Sequence, residues 1–250
     1  GSVPGCIIIK RTDAIEDWQV YHRSLANTQY MVLDQQFAAI TGLTRWNSTT
    51  PTDTVFSLGT STGVNASGGT YIAYLFAHDA GGFGLTGADN VISCGSVSAT
   101  GGTLAEVNLG WEPQWLLIKG SSITNGWSII DNMRGFTANK GVSWLQPNTS
   151  AAEVASPTTP SLYLTSTGFK VESNESPLNG TGTYIYIAIR RGPMAVPTLG
   201  TTVFAPVAYA GAGAGTTYTT NFPVDMTLVK SRTTVTQTEA WDRLRGGSQY

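Results

Sequence analysis

The sequence predicts an all-β protein made of tandem antiparallel β-sandwich or jelly-roll modules. Three observations carry that expectation. Short apolar runs rich in Ile, Val and Tyr are bounded by Gly, Asn, Ser and Pro, the pattern of strands and turns. Charged residues are only 12% of the 250, about half the ordinary share, and 29 residues are Gly. A motif also recurs about 109 positions further along. Hydrophobic residues make up 41%, so composition does not point to disorder.

The recurrence organises the chain. Val3-Pro4-Gly5-Cys6-Ile7-Ile8-Ile9-Lys10 precedes a polar stretch and Trp18-Gln19-Val20-Tyr21. Glu112-Pro113-Gln114-Trp115-Leu116-Leu117-Ile118-Lys119 precedes a polar stretch and Trp127-Ser128-Ile129-Ile130. Each proline holds the residue before it extended, and the Lys-to-Trp interval reads as a hairpin turn. A looser third start, Met226-Thr227-Leu228-Val229-Lys230, precedes Trp241 at 11 positions from the lysine instead of 8, which predicts a longer turn. The closing runs match too: Gly69-Thr70-Tyr71-Ile72-Ala73-Tyr74 and Gly182-Thr183-Tyr184-Ile185-Tyr186-Ile187.

In the second copy, strands are expected near Val91–Ser96, Ala105–Leu109, Trp115–Lys119, Trp127–Asp131, Val142–Leu145, Ser161–Leu164, Gly168–Glu172 and Thr183–Arg190. One helical turn is allowed near Ala151–Val154. The expected division is a partial module over 1–80 lacking lead-in strands, a complete module over 81–192, and the start of a third over 193–250. That third start would have lead-in strands at Thr201–Ala208 and Thr216–Thr220 but no closing strands. Incomplete sandwiches leave open sheet edges, so the end modules are expected to be completed by further sequence, another subunit or each other.

Charge and composition exclude several classes. A net charge of −2 gives no electrostatic footprint for nucleic acid. The longest apolar runs, such as Tyr71 to Ala77, are far shorter than the ~18 residues of a membrane span. No basic segment followed by an apolar run opens the chain, so no secretory signal is expected in it. Cys6 and Cys94 read as two buried thiols.

No enzymatic constellation emerges, and the expectation is a protein without catalytic activity or cofactor. His22 and His78 are the only histidines, and the second copy carries Asp131 where the first has His22. Asp13, Glu16 and Asp17 cluster in a turn, where solvated charges are expected. The Gly-rich stretches lack the Lys-Ser/Thr of a phosphate loop. Asp79, Asp89 and Asn90 supply too few oxygens for calcium and read as a linking turn. Glycan contact has a better footing. Sugars stack on an aromatic ring while amide and carboxylate groups meet their hydroxyls. Trp46, with Arg45 and Asn47 in a turn-rich segment, is the candidate platform, and Tyr21 and His22 are its candidate neighbours. Core packing is the competing reading for Trp46, since Trp is mostly buried. Trp18, Trp115, Trp127 and Trp241 are read as core.

A family resemblance rests on these same residues. Trp18-Gln19-Val20-Tyr21-His22, Arg45-Trp46-Asn47, Pro51-Thr52, Thr54-Val55-Phe56, Leu58-Gly59 and Val64-Asn65-Ala66-Ser67-Gly68-Gly69 resemble the repeated module of tailed-bacteriophage tail and fibre proteins. So do Leu109-Gly110-Trp111, Asn148-Thr149-Ser150 and Gly168-Phe169-Lys170-Val171. The likeness is clear over about 190 residues and weak over the last 60. It implies a concanavalin-like or laminin-G-like sandwich in a virion, an extracellular particle. The implied role is a tail fibre or similar appendage, with other virion proteins or copies of itself as partners and a host cell-surface glycan as ligand. It carries over no catalytic residue. The alternatives are a carbohydrate-binding module of a secreted hydrolase, and a capsid or tail decoration protein without ligand.

Overall fold

A strand whose apolar residues run without alternation must bury both of its faces, and Cys6-Ile7-Ile8-Ile9 and Leu116-Leu117-Ile118 are such runs. The computed structural model places both in the middle of a layered stack. It describes residues 2–84, 86–101, 103–134, 142–155, 162–172, 178, 180–190, 199–202, 204–211, 213, 215, 217–220, 222, 224 and 226–242. The chain divides into two units, Gly1–Pro193 and Met194–Tyr250.

In chain order the first unit holds β1 (Pro4–Arg11), β2 (Gln19–His22), β3 (Gln29–Val32), β4 (Ile40–Thr41), the short helix α1 (Thr62–Asn65) and β5 (Tyr71–Ala77). These are followed by β6 (Ile92–Ala99), β7 (Ala105–Asn108), β8 (Trp115–Gly120), β9 (Ser128–Asp131) and β10 (Ser143–Trp144). The last four are β11 (Val154–Ala155), β12 (Leu162–Thr165), β13 (Gly168–Val171) and β14 (Gly182–Ile189). All pairings are antiparallel. The first sheet runs β4-β3-β2-β1-β5, the second β6-β14-β8-β9 and the third β12-β13-β7, beside a small β10-β11 pair. The fold is therefore an all-β sandwich with several antiparallel sheets. All eight strands expected in the second copy form, within a few residues at each end. Where a helical turn was allowed near Ala151–Val154, β11 forms instead, because Val154 pairs with Trp144.

Alternation along each strand divides the core into three layers. Ile7 and Ile9 of β1, with Tyr21, pack against Trp46 and Val64 on the outer face of the first sheet. Cys6, Ile8, Val20 and Met31 point the other way and meet Cys94, Leu117, Trp127, Ile185 and Ile187 of the second sheet. The opposite face of the second sheet, including Leu116, Ile118, Tyr184 and Tyr186, packs against Leu162, Phe169 and Val171 of the third. Phe169 meets Tyr186 edge to face at 5.1 Å between ring centres. The two thiols, Cys6 and Cys94, are buried and free in the shared layer. Burial raises the pKa of both, Cys94 to about 12.

The second unit contains β15 (Met226–Val229) and β16 (Glu239–Asp242), an antiparallel pair. Its register corrects the expectation of a longer turn. The innermost pairs are Ile9↔Gln19, Ile118↔Ser128 and Val229↔Glu239, ten positions apart in every hairpin. Trp241 lies opposite Thr227, inside the strand, whereas Trp18 and Trp127 stand just before theirs. Thr238 occupies their place. The lysine next to the innermost hairpin pair of each first strand accounts for the constant length. Lys10 donates to the Glu16 carbonyl and Lys230 to the Thr236 carbonyl, each six residues on. Lys119 Nζ, fully buried, donates to the Gly120 carbonyl at 2.7 Å and to Asn125 Oδ1, also six residues on, at 2.9 Å. An ammonium thus gathers the inward-facing acceptors of a nine-residue connection.

The expected lead-in strands of the third copy do not form among the described residues. Gly200–Thr202 is a turn of 3₁₀ helix, and 204–210 and 217–220 join no ladder. Pro206 lacks a donor for one.

The first two sheets press together at Gly5. A Cβ there would lie 2.6 Å from Cys94 Cβ and 2.8 Å from His78 Cβ. Neither neighbour atom is the free end of a flexible chain. Gly5→Ala is expected to cost ~1–3 kcal/mol of stability, as over-packing does, read as a lowered urea midpoint with unchanged slope.

Candidate functional site

The residues predicted to contact a ligand come together, but most lie inside. Trp46 is 2% exposed. Its indole Nε1 donates to the Gln29 carbonyl at 3.0 Å, and its ring meets Tyr21 edge to face at 5.8 Å. The expectation of an exposed Trp46 platform is therefore corrected: the turn after β4 folds the indole back over Ile7 and Ile9, covering the outer face of the first sheet. Tyr21 is buried in the same layer. Arg45 is half-buried, stacked 4.3 Å from the Tyr30 ring centre and donating to Gln19 Oε1 at 3.1 Å. Asn47 is exposed in a left-handed conformation, φ 50°. It is the turn residue that reverses the chain after Trp46.

His22 ends on the opposite face, at the contact between the first two sheets. Nε2–H donates to the Tyr186 carbonyl of β14 at 3.0 Å, and Nδ1 accepts from the Ser24 N–H at 3.2 Å. Both ring nitrogens are therefore used by the neutral imidazole. Burial, opposed by the bond to Tyr186 and aided by the charges of Arg23 and His78, lowers its pKa to about 4. Other bonds cross the same layer. Trp127 Nε1 donates to the Val32 carbonyl at 2.8 Å, Asn125 N–H to Gln36 at 3.1 Å and Ala39 N–H to Ser121 at 2.8 Å.

The acidic residues near the Gly-rich bend serve local structure. Asn90 Oδ1 accepts from Gly81 N–H at 2.9 Å, and Asp89 pairs with Arg190 at 3.5 Å. Among the described residues, no group of three His, Cys, Asp or Glu side chains could hold a metal ion. No described helix is long and apolar enough to cross a membrane.

The open concavity lies elsewhere. A cleft of about 370 Å³ is walled by Gln114, Trp115, Asp131, Asn132, Met133 and Arg134. It forms where the start of β8 meets the end of β9, since Trp115 pairs with Asp131. A 3₁₀ turn over Asn132–Arg134 follows, capped by Asp131 Oδ1 accepting from Arg134 N–H at 3.0 Å. The Arg134 guanidinium also pairs with Asp131 and, at 2.9 Å, with Glu153. Asn132 Oδ1 is buried without a hydrogen-bond partner among the described residues. The cleft thus brings part of an indole, a carboxylate and a guanidinium to one rim, with the Gln114 amide beside them. Sequence reading missed it because it assigned Trp115 to the core. The signal was the hairpin pairing itself, which sets Trp115 opposite Asp131.

Fold and site together define a layered antiparallel β-sandwich protein with an open cleft edged by Trp115, Asp131 and Arg134. The chain belongs to the family described as a domain of unknown function, DUF7483, which it matches over residues 1–193. No curated protein and no solved structure matches it.

The neutral form of His22 is favoured in the folded state, so the unfolded chain binds the extra proton between pH 6.5 and 4. Stability therefore falls as pH drops through that window. A shift from 6.5 to about 4 corresponds to ~3 kcal/mol. Urea unfolding at pH 7 and pH 4 should show this loss, and His22→Gln should have a shallower acid limb.

Proposed function

We propose that this chain is a non-enzymatic structural protein of a bacteriophage virion, part of a tail fibre or similar appendage, with host-surface glycan attachment as a further duty. The observation that carries the reading is the shared core layer between the first two sheets. It makes two successive hairpin units one body, the property an appendage needs to bear length without hinging. The motif resemblance, clear over about 190 residues, supports the phage assignment. The low charge and the Thr- and Gly-rich turns suit a particle that persists outside cells. Attachment would work by avidity: many weak sites on one particle gain effective concentration that a single site lacks. The partners proposed are other virion proteins or copies of the chain.

The cleft at Trp115 favours glycan contact as its particular ligand chemistry. A pyranose face can lie on the exposed part of the indole, while the Asp131 carboxylate and the Arg134 guanidinium offer an acceptor and a donor for vicinal hydroxyls.

Peptide mass spectrometry of purified phage particles tests the principal reading. Peptides of this chain should be found at structural-protein abundance, and their absence from particles would reject it. A glycan array with the isolated chain tests the ligand. Asp131→Asn combined with Arg134→Gln should weaken any bound sugar at least about tenfold with unchanged circular dichroism. Binding that survives both substitutions rejects the cleft.

A further inference from the structure

Each lysine hairpin closes on an acceptor six residues beyond its lysine, but only the second closes on a side chain. Lys10 and Lys230 donate to the backbone carbonyls of Glu16 and Thr236. Lys119 Nζ donates to Asn125 Oδ1 at 2.9 Å, and the same oxygen accepts from Gly120 N–H at 3.2 Å. Two donors therefore converge on one amide carbonyl, and one of them is a buried ammonium. Lys119 also donates to the carbonyls of Gly120 and Ile123. All three of its acceptors are neutral, so its charge lies inside without a counter-ion among them. Such a charge is costly.

The other half of the Asn125 amide is in the opposite condition. Its Nδ2 is buried and has no hydrogen-bond partner among the described residues. The next residue is Gly126. Its N–H donates to no described acceptor, and its lack of a side chain leaves that nitrogen open to approach. Asn125 and Gly126 are both half-buried, so water reaches the turn. A carbonyl polarised by two fixed donors, an unheld leaving nitrogen and an unheld backbone nitrogen in the next residue are the parts of an intramolecular acyl transfer.

We propose that Asn125 is a self-modification site, converting to aspartate after folding so that Lys119 gains a carboxylate partner. Gly126 N bonds to Asn125 Cγ and closes a succinimide ring. The Cγ–Nδ2 bond breaks, and the amide nitrogen departs as ammonia with the Gly126 hydrogen. Water then adds at Cγ, the bond from Cγ to Gly126 N breaks, and a hydrogen returns to that nitrogen. The sum is asparagine plus water giving aspartate plus ammonia, with no oxidant or cofactor. Lys119 Nζ and Gly120 N–H stabilise negative charge on the oxygen in both steps. Because they polarise the side-chain carbonyl, water is directed to Cγ. The product is then aspartate, not the isoaspartate that ring opening at the backbone carbonyl gives. This inference does not rest on the virion reading.

Peptide mapping by mass spectrometry of the purified full chain, followed over days at mildly alkaline pH, reads the conversion. It also separates Asn125 from Asn179-Gly180, the other Asn-Gly pair in the chain. Position 125 is expected to exchange NH2 for OH and to take its new oxygen from isotopically labelled water. Isoaspartyl methyltransferase should find little substrate there, whereas the urea-unfolded chain should give mainly isoaspartate. Lys119→Met should slow the conversion at least about tenfold. Gly126→Ala should slow it too, since the added Cβ meets first the end of the Gln146 side chain, at 2.8 Å, which can move aside. Asn125→Asp should raise the urea midpoint at pH 7 above that of the unconverted chain. If Lys119→Met fails to fold, the contrast between the folded and urea-unfolded native sequence decides alone. An Asn125 that stays intact in the folded chain overturns the proposal. So does a product that is mainly isoaspartate, a rate indifferent to Lys119→Met, or a lower midpoint for Asn125→Asp. Loss of ammonia without uptake of water, with Lys119 joined to Asn125, overturns it as well, because the lysine amine has then attacked in place of Gly126.

Discussion

The contact between the first and second sheets sets the conditions for most of the structure. β1 and β8 are buried on both faces, so their side chains must be apolar in both directions, and every polar group at the seam needs an internal partner. The sequence meets this with a few well-placed donors rather than with ion pairs. His22 reaches across to Tyr186, Trp127 to Val32, and the turn holding Asn125 to Gln36. The close approach at Gly5 has the same origin, because a side chain there would hold the two layers apart.

The same constraint explains why one register position has two chemistries. His22 and Asp131 each end the second strand of a lysine hairpin, opposite Cys6 and Trp115 respectively. His22 faces the inter-sheet layer, where a neutral ring with one donor and one acceptor fits two backbone groups. Asp131 lies at the margin of the second sheet, where its carboxylate caps a 3₁₀ turn and meets Arg134. An ionised group at the first place would be desolvated without a partner. At the second it is ion-paired with Arg134 and reaches water in part. Position in the layer, not position in the repeat, decides which residue type is tolerated.

Much of the fold was legible because strand signals are local. Apolar runs of four to eight residues between turn residues located all eight strands of the second copy, and the lysine–tryptophan interval located the hairpins. What failed depended on distant partners. Nothing near Trp46 distinguishes an indole on a surface turn from one folded over Ile7 and Ile9; that depends on how residues 42–71 return across the sheet. Trp241 was aligned by residue identity, whereas the backbone aligns the third hairpin by the lysine and its acceptor six residues on. Lead-in strands near Thr201–Ala208 were inferred from apolar content, yet a strand needs a ladder, and Pro206 interrupts one. The cleft was hidden because Trp115 serves two roles, packing part of its ring on the shared core while exposing the rest beside Asp131.

Charge scarcity follows from the layering. A stack of sheets has two kinds of surface: faces buried against the next layer, and turns at the strand ends. Ions are costly in the first and turn residues such as Gly, Asn, Ser and Thr fill the second. The one fully buried charge among the described residues, Lys119, is accommodated because three acceptors surround it, and burial still lowers its pKa to about 8. A chain this poor in charge has few residues with which to guard a sheet edge. β6 covers the outer edge of β14 by backbone pairing, not by charge.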